Sequence, residues 1–438
     1  MSWRYERESN SLAESFSTVK VPQNAGFWRK FFAFFGPGLM ISVGYMDPGN
    51  WATDIEGGAK FGYTLLFVIL LSNFFAIILQ HLSVKLGIAT ERDLAQACRG
   101  HYSKPVNFVL WLFCEIAIAA MDLAEVIGTA IALNLLFGVP LTYGVIITII
   151  DVFIILMLQK RGFRWLEVFI ASLVFLVLAC FAYEVLIAQP NVQDLLSGFI
   201  PKKEIIENPQ MLFIAVGILG ATVMPHNLYL HSSIVQTRAY ERTEKGKKEA
   251  IKFASLDSTL SLLLAFFINA AILILAAATF HGTPYSNIAD IGDAHQMLEP
   301  LLGTSLAGIA FAVALLASGQ NSTLTGTLAG QIVMEGFLNL KIKPWLRRMI
   351  TRLIAVIPAF FVTLFAGEKG TAELLIWSQV ILSLQLPFAV FPLIQFTNDS
   401  SKMGSFANAF WLKIMVWIIG LIILFLNVYL VFHFFTAE

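Results

Sequence analysis

Two short stretches combine residue types that rarely meet in an apolar setting: Asp47-Pro48-Gly49-Asn50 and Met224-Pro225-His226-Asn227. Each lies within a long hydrophobic run, and the first is preceded by Gly36-Pro37-Gly38. Proline removes a backbone donor and clashes with the preceding turn, while glycine loosens the chain further. A carboxylate deep in a membrane costs roughly 3 kcal/mol on insertion scales. One reading of this combination is local: a proline kink whose Asp finds a partner. The other is functional. Both helices unwind, their freed carbonyls become ligands, and their half-helix ends point dipoles into a cavity.

On the functional reading, Asp47 and Asn50 offer a charged oxygen and an amide oxygen to one space, and Met224 offers a thioether. Magnesium and calcium favour all-oxygen shells, whereas a thioether suits later transition metals. Methionine also fills apolar gaps, but the adjoining Pro225-His226 favours a ligand here. One carboxylate, one amide, one thioether and one or two carbonyls make a mildly anionic site, able to release what it binds. His226 has the near-neutral titration of a gating or proton-handling group. It is expected to modulate the site without ligating.

A second set of acids, Glu115, Asp122 and Glu125, falls within about 80° of arc on one helix face, at ~100° per residue. A lipid-facing stripe of three acids is prohibitive, so it must face protein or water. It forms either structural ion pairs, with Arg348 or Arg352 as partners, or a proton route leading inward from Asp47. Asp54 and Glu56 form either an anionic funnel or ordinary solvated charges.

What must position these residues is a set of membrane helices. The 438-residue chain is 57% hydrophobic and 13% charged, with a mean hydropathy of +0.74; about 25% charged is usual for a soluble domain. Net charge is zero, so overall charge says nothing about partners; no nucleic-acid partner is expected. With roughly 20 apolar residues per crossing, eleven spans are expected: 31–58, 62–87, 105–137, 141–159, 164–188, 210–238, 251–280, 300–335, 346–366, 371–396 and 407–435. No strands are needed. Lys and Arg fix the direction. With the N-terminus inside, 25 of the 29 basic residues fall on the cytoplasmic side, leaving Lys60, Lys202, Lys203 and Lys369 outside with the C-terminus. The polar tail, residues 1–30, has no signal-peptide core and is expected to be disordered. Cys98, Cys114 and Cys180 offer neither a disulfide pair nor a zinc pattern.

The two interruptions fall in spans 1 and 6, five apart. Five is odd, so a second five-helix unit enters the membrane inverted, the expected sign of an inverted-repeat transporter. Residues 31–200 and 201–398 would be the two repeats, with 399–438 carrying the added span 11.

Here the sequence becomes recognisable. Asp47-Pro48-Gly49-Asn50 and Met224-Pro225-His226-Asn227 resemble the two signature motifs of the Nramp metal-ion transporters. Gly319-Gln320-Asn321-Ser322-Thr323-Leu324-Thr325-Gly326-Thr327 on span 8 resembles a further family stretch. A compact chain with short tails is consistent with a bacterial inner membrane, and the resemblance implies an all-α, LeuT-like fold. It also implies proton-coupled uptake of manganese and ferrous iron, with cadmium, cobalt and zinc often accepted. The metal is cargo; no cofactor and no obligate protein partner is implied. Carried onto this chain, Asp47, Asn50 and Met224 would be metal ligands, helped by the carbonyls of Gly44 and Ala221. Gln379 would add an amide oxygen in one conformation, or else make a helix-to-helix hydrogen bond. Asp122 and Glu125 would be a proton-accepting pair beside a span-9 arginine, Arg348 or Arg352. The competing classes are an organic-solute symporter of the same fold, a metal uniporter or channel, and an intramembrane enzyme. The last needs a nucleophile–base pair or a motif such as HExxH, and the chain has none.

Overall fold

Proline opens six of the helices, at positions where its missing N–H costs nothing. Two of these prolines are what divide the interrupted spans. The computed structural model of the chain describes residues 3–6, 9–22, 24–159, 162–288, 290–340 and 342–436. Of the basic residues counted above, Arg7, Lys160, Arg161 and Lys341 lie outside them.

After a two-residue strand β1 (Val19–Lys20) come α1 (Phe27–Phe34), α2 (Pro37–Gly44), α3 (Pro48–Phe61), α4 (Leu66–Thr90), α5 (Leu94–His101), α6 (Lys104–Phe137), α7 (Leu141–Gln159) and α8 (Phe163–Ala188). Short helices α9 (Val192–Ser197) and α10 (Glu204–Glu207) lead to α11 (Pro209–Thr222) and α12 (Pro225–Ile234). Strand β2 (Arg238–Ala239) precedes α13 (Glu244–Phe280), α14 (Ile291–Leu302), α15 (Ser305–Leu338), α16 (Pro344–Phe365), α17 (Gly367–Asn398), α18 (Ser400–Met403) and α19 (Phe410–Thr436). Among the described residues, nine stretches are long and apolar enough to cross a membrane; Pro48–Thr90 is one of them, and α7 contributes only the shorter Leu141–Ile150.

The interrupted pair sits at the centre. Every residue of α2, α11 from Met211 onward except Phe213, and all of α12 are buried. They are enclosed by α13, which packs on α2, α3 and α4, and by α15, which runs between α6 and α8. At the periphery, α19 turns Phe410, Trp411, Trp417, Leu421 and Phe425 outward, as a helix facing lipid does.

Two expectations are corrected. The described part of the tail is docked: Val19 and Lys20 pair in parallel with Arg238 and Ala239, the Arg4 amide donates to the Gly100 carbonyl (2.7 Å), and the hydroxyls of Ser11 and Ser233 lie 2.6 Å apart. Strands are therefore present, if minimal. Both arise because the segment after α12 leaves backbone groups open, and an extended polar strip satisfies them.

The start of the first interrupted span is also tied down. Amides of Gly36 and Gly38 donate to one carboxylate oxygen of Asp257 on α13 (3.2 and 2.7 Å), satisfying orphan donors of α2. Arg238 bonds Glu167 (2.6 Å) and donates to the carbonyls of Ala33, Phe34 and Phe35. Gly36 has φ +139°, and a Cβ there would lie 2.4 Å from the Glu167 carboxyl carbon, so only glycine fits.

Candidate functional site

The helical ladder stops at Gly44, and Tyr45 and Met46 close the end with turn-type bonds to Ser42 and Val43. Asp47 is extended (φ −68°, ψ 164°) and caps α3 by accepting the Asn50 amide at 2.8 Å, the usual N-cap use of an aspartate. On the other side α11 ends at Thr222 with Val223 as its C-cap, and Met224 leaves helical geometry (φ −56°, ψ 120°) before Pro225 opens α12. No side chain caps α12.

The two interruptions meet. The Asn50 side-chain nitrogen touches three oxygens: Asp47 Oδ1 at 2.6 Å, the Ala221 carbonyl at 3.2 Å and the Gly44 carbonyl at 3.5 Å. A Cβ built on Gly44 would stand 3.2 Å from the Met224 sulfur and 2.4 Å from Asn227 Nδ2, so α2 ends against both. Gln379 of α17 lies over Gly49, where a Cβ would fall 1.7 Å from its amide nitrogen. Asp47, Asn50, Met224 and Gln379 are all buried, at 0–1% exposure. Asp47 Oδ2, Gln379 Oε1, Asn227 Oδ1, the Thr222 hydroxyl and both ring nitrogens of His226 are buried without a hydrogen-bond partner. Buried polar atoms are normally satisfied, and this concentration of open acceptors fits a cation.

Asn50 departs from expectation. Its nitrogen, not its oxygen, points into the oxygen cluster, because an amide oxygen there would face a carboxylate and two carbonyls. The oxygen instead accepts from Asn269 of α13 (3.3 Å), which also donates to the Tyr45 carbonyl (2.7 Å). Met224 packs among Ala117, Met121 and Leu382, so its sulfur faces Gly44 while its stem fills core. Gln379 donates to its own neighbour Ser378 (2.9 Å), with its oxygen left open.

The acids on α6 divide into two groups. Arg348 pairs with both Asp122 and Glu125 (3.2 Å to the latter), and Arg352 approaches Glu125 at 3.5 Å, all essentially buried. Both arginines therefore attend the pair, and Arg348 bridges it. Glu115 stands apart, bound by Arg347 (3.0 Å) and Trp111 (3.1 Å). The stretch from Gly319 serves both sites: the neighbouring Ser318 donates to the Met46 carbonyl, and a Cβ on Gly326 would lie 3.1 Å from Glu125. Asp54 and Glu56 are not solvated. Asp54 is buried with Oδ2 unpartnered, and Glu56 pairs with Lys60.

Four residues were not anticipated from the sequence: Asn269, and the chain from Tyr45 through Gln80 (2.9 Å) to His231 (2.9 Å). Asn269 and Gln80 are lone amides in apolar runs, a signal that was available. Among the described residues no three His, Cys, Asp or Glu side chains cluster as a metal site would. A cation here must rely on one carboxylate, carbonyls, an amide and a thioether.

The family model for natural resistance-associated macrophage protein-like proteins matches residues 38–433. The chain belongs to the Nramp family. This Nramp chain is 60% identical over 436 residues to the divalent metal cation transporter MntH of Listeria innocua, covering 100% of this chain and 97% of that protein. It is 60% identical over 426 residues to the protein of the same name from Bradyrhizobium diazoefficiens, covering 97% and 95%. A solved manganese transporter from Eremococcus coleocola superposes with a TM-score of 0.90 at 40% identity, covering 98% of this chain and 93% of that one. More distant structures share the fold alone. They are a nucleobase-cation-symport-1 family transporter (TM-score 0.61, 14% identity, covering 90% and 89%) and MhsT in complex with L-phenylalanine (0.59, 15%, covering 92% and 98%). The LeuT-like fold expected of this Nramp chain is thus present.

Proposed function

We propose that the chain imports divalent transition-metal ions, manganese and ferrous iron foremost and cadmium, cobalt or zinc as further cargo, coupled to protons and by alternating access. The observation that carries this reading is the convergence of Asp47, the Gly44 and Ala221 carbonyls and the Met224 sulfur where two interrupted helices meet. The Asn50 nitrogen already sits among three oxygens, as a cation would. On arrival of the ion the amide turns, presenting oxygen. Asp47 supplies the single full charge, Met224 biases the site against calcium and magnesium, and Gln379 closes over it from α17. The proton leaves through Asp122 and Glu125, whose shared Arg348 lets one carboxylate hold a proton while the other stays charged; His226, between the metal and this pair in the reading, modulates the hand-over. Glu115, held by Arg347, forms the far end of the acidic face.

The same reading gives eleven crossings as two inverted five-helix repeats plus α19. The N-terminus is cytoplasmic and the C-terminus external, in a bacterial inner membrane. Purified protein in proteoliposomes with a pH-sensitive dye inside tests it. Manganese entry with lumen acidification supports the proposal; entry without proton movement makes the protein a uniporter, and no manganese entry ends the assignment.

A further inference from the structure

Away from the helix breaks, a cavity of about 620 Å³ opens where α5 meets the start of α6. It is bounded by Arg99, Tyr102, Lys104, Asn107 and Phe108, with Glu6 of the docked tail on its rim. Arg99 Nη1 is buried there without a hydrogen bond, with the Asp93 carboxylate in electrostatic reach of the guanidinium. Asn107 is 6% exposed; its nitrogen donates to the Phe337 carbonyl (2.7 Å), leaving its oxygen open. The 34-residue helix α6 also starts without a side-chain cap, which adds partial positive charge at its mouth. Arg99 and Lys104 against Glu6 leave one net positive charge.

A second cavity, about 510 Å³, runs between α6, α17 and α19 and includes Val106, Leu110, Phe388, Pro392 and Val428. Tyr102 borders both cavities, which therefore lie side by side along the start of α6. Between Leu384 and Pro392 the groove follows α17 for about 12 Å. Its rim residues Val106, Phe388 and Val428 are 45%, 42% and 58% exposed, on the surface that meets lipid. A cationic pocket beside an apolar groove on that surface matches one chemistry.

We propose that this pair of cavities binds one anionic glycerophospholipid, its phosphodiester at Arg99 and Lys104 and an acyl chain along the α6–α17–α19 groove. A free anion uses the pocket but not the groove. A zwitterionic lipid brings its ammonium against two cations. The bound lipid would brace the tail, whose Arg4 and Tyr5 amides hold the Gly100 carbonyl beside the pocket.

Native mass spectrometry of the full chain in detergent, with dioleoyl phosphatidylglycerol, dioleoyl phosphatidylcholine and inorganic phosphate as probes, tests this independently of any transport reading. One phosphatidylglycerol should be retained in preference to phosphatidylcholine. The double variant Arg99→Gln/Lys104→Gln should lower its affinity roughly thirtyfold, about tenfold or less per cation. Leu110→Trp, which fills the groove and leaves the pocket intact, should weaken the same lipid several-fold. Equal retention of both lipids by the unaltered protein overturns the proposal, as does undiminished phosphatidylglycerol binding by either variant. Displacement of the lipid by phosphate alone would reduce the pocket to an anion site and also overturn it.

Discussion

Replacing Met224 by leucine and by alanine separates the sulfur from the volume it occupies. The side chain is fully buried among Ala117, Met121 and Leu382, so alanine leaves a void costing about 2–5 kcal/mol. Leucine nearly conserves volume and costs less than about 1.5 kcal/mol. A purely structural Met224 therefore predicts a normal leucine variant and an alanine variant impaired toward every ion alike. A ligating sulfur, facing Gly44 at the junction, predicts that both variants lose the same discrimination. A soft ligand worth about 1–2 kcal/mol of preference corresponds to a five- to thirtyfold fall in the cadmium-to-calcium affinity ratio. Isothermal titration of both variants with cadmium and calcium, each normalised to its own thermal midpoint, measures this. A leucine variant with the original ratio refutes the sulfur's role.

Asp47→Asn is nearly isosteric and keeps an acceptor for the Asn50 amide; it should abolish measurable manganese binding while moving the thermal midpoint by only a few degrees. Arg348→Ala strands buried Asp122 and leaves Glu125 to Arg352 alone and should cost about 3–5 kcal/mol, read as a loss of stability in denaturant; a change of about 1 kcal/mol or less would mean that Arg352 serves the pair by itself. Asn269→Ala removes the donor that holds the Asn50 oxygen away from the cluster and bares the Tyr45 carbonyl. It should lower stability by about 1–3 kcal/mol yet tighten manganese binding several-fold in calorimetry; weaker binding would show that Asn269 supports the loaded site instead.

The interruptions were legible because proline, glycine and a carboxylate share one depth in an apolar run, a combination that few other arrangements tolerate. Helix limits followed from hydropathy within a few residues, except at 300–304, where Gly303 and Thr304 separate α14 from α15, and at α13, which starts at Glu244 and not at 251. The grouping on α6 was only half legible. Helical spacing put Glu115 with Asp122 and Glu125, but the partition was decided by three arginines on α16, each a turn or less from the next. Asn50's orientation could not be read, since it depends on Asn269, 219 residues away. Docking of the tail was invisible for the same reason: a polar strip looks unstructured until its backbone partners at Arg238 and Ala239 are known.

That strip has a practical bearing. Val19 and Lys20 are clasped to the very residue, Arg238, whose guanidinium grips Ala33–Phe35 at the foot of the first interrupted helix. A fluorescent reporter or affinity handle spliced ahead of Val21 would therefore tug on both halves of the moving machinery at once. Labels intended to be silent belong at the opposite terminus, and labels intended to sense motion belong here.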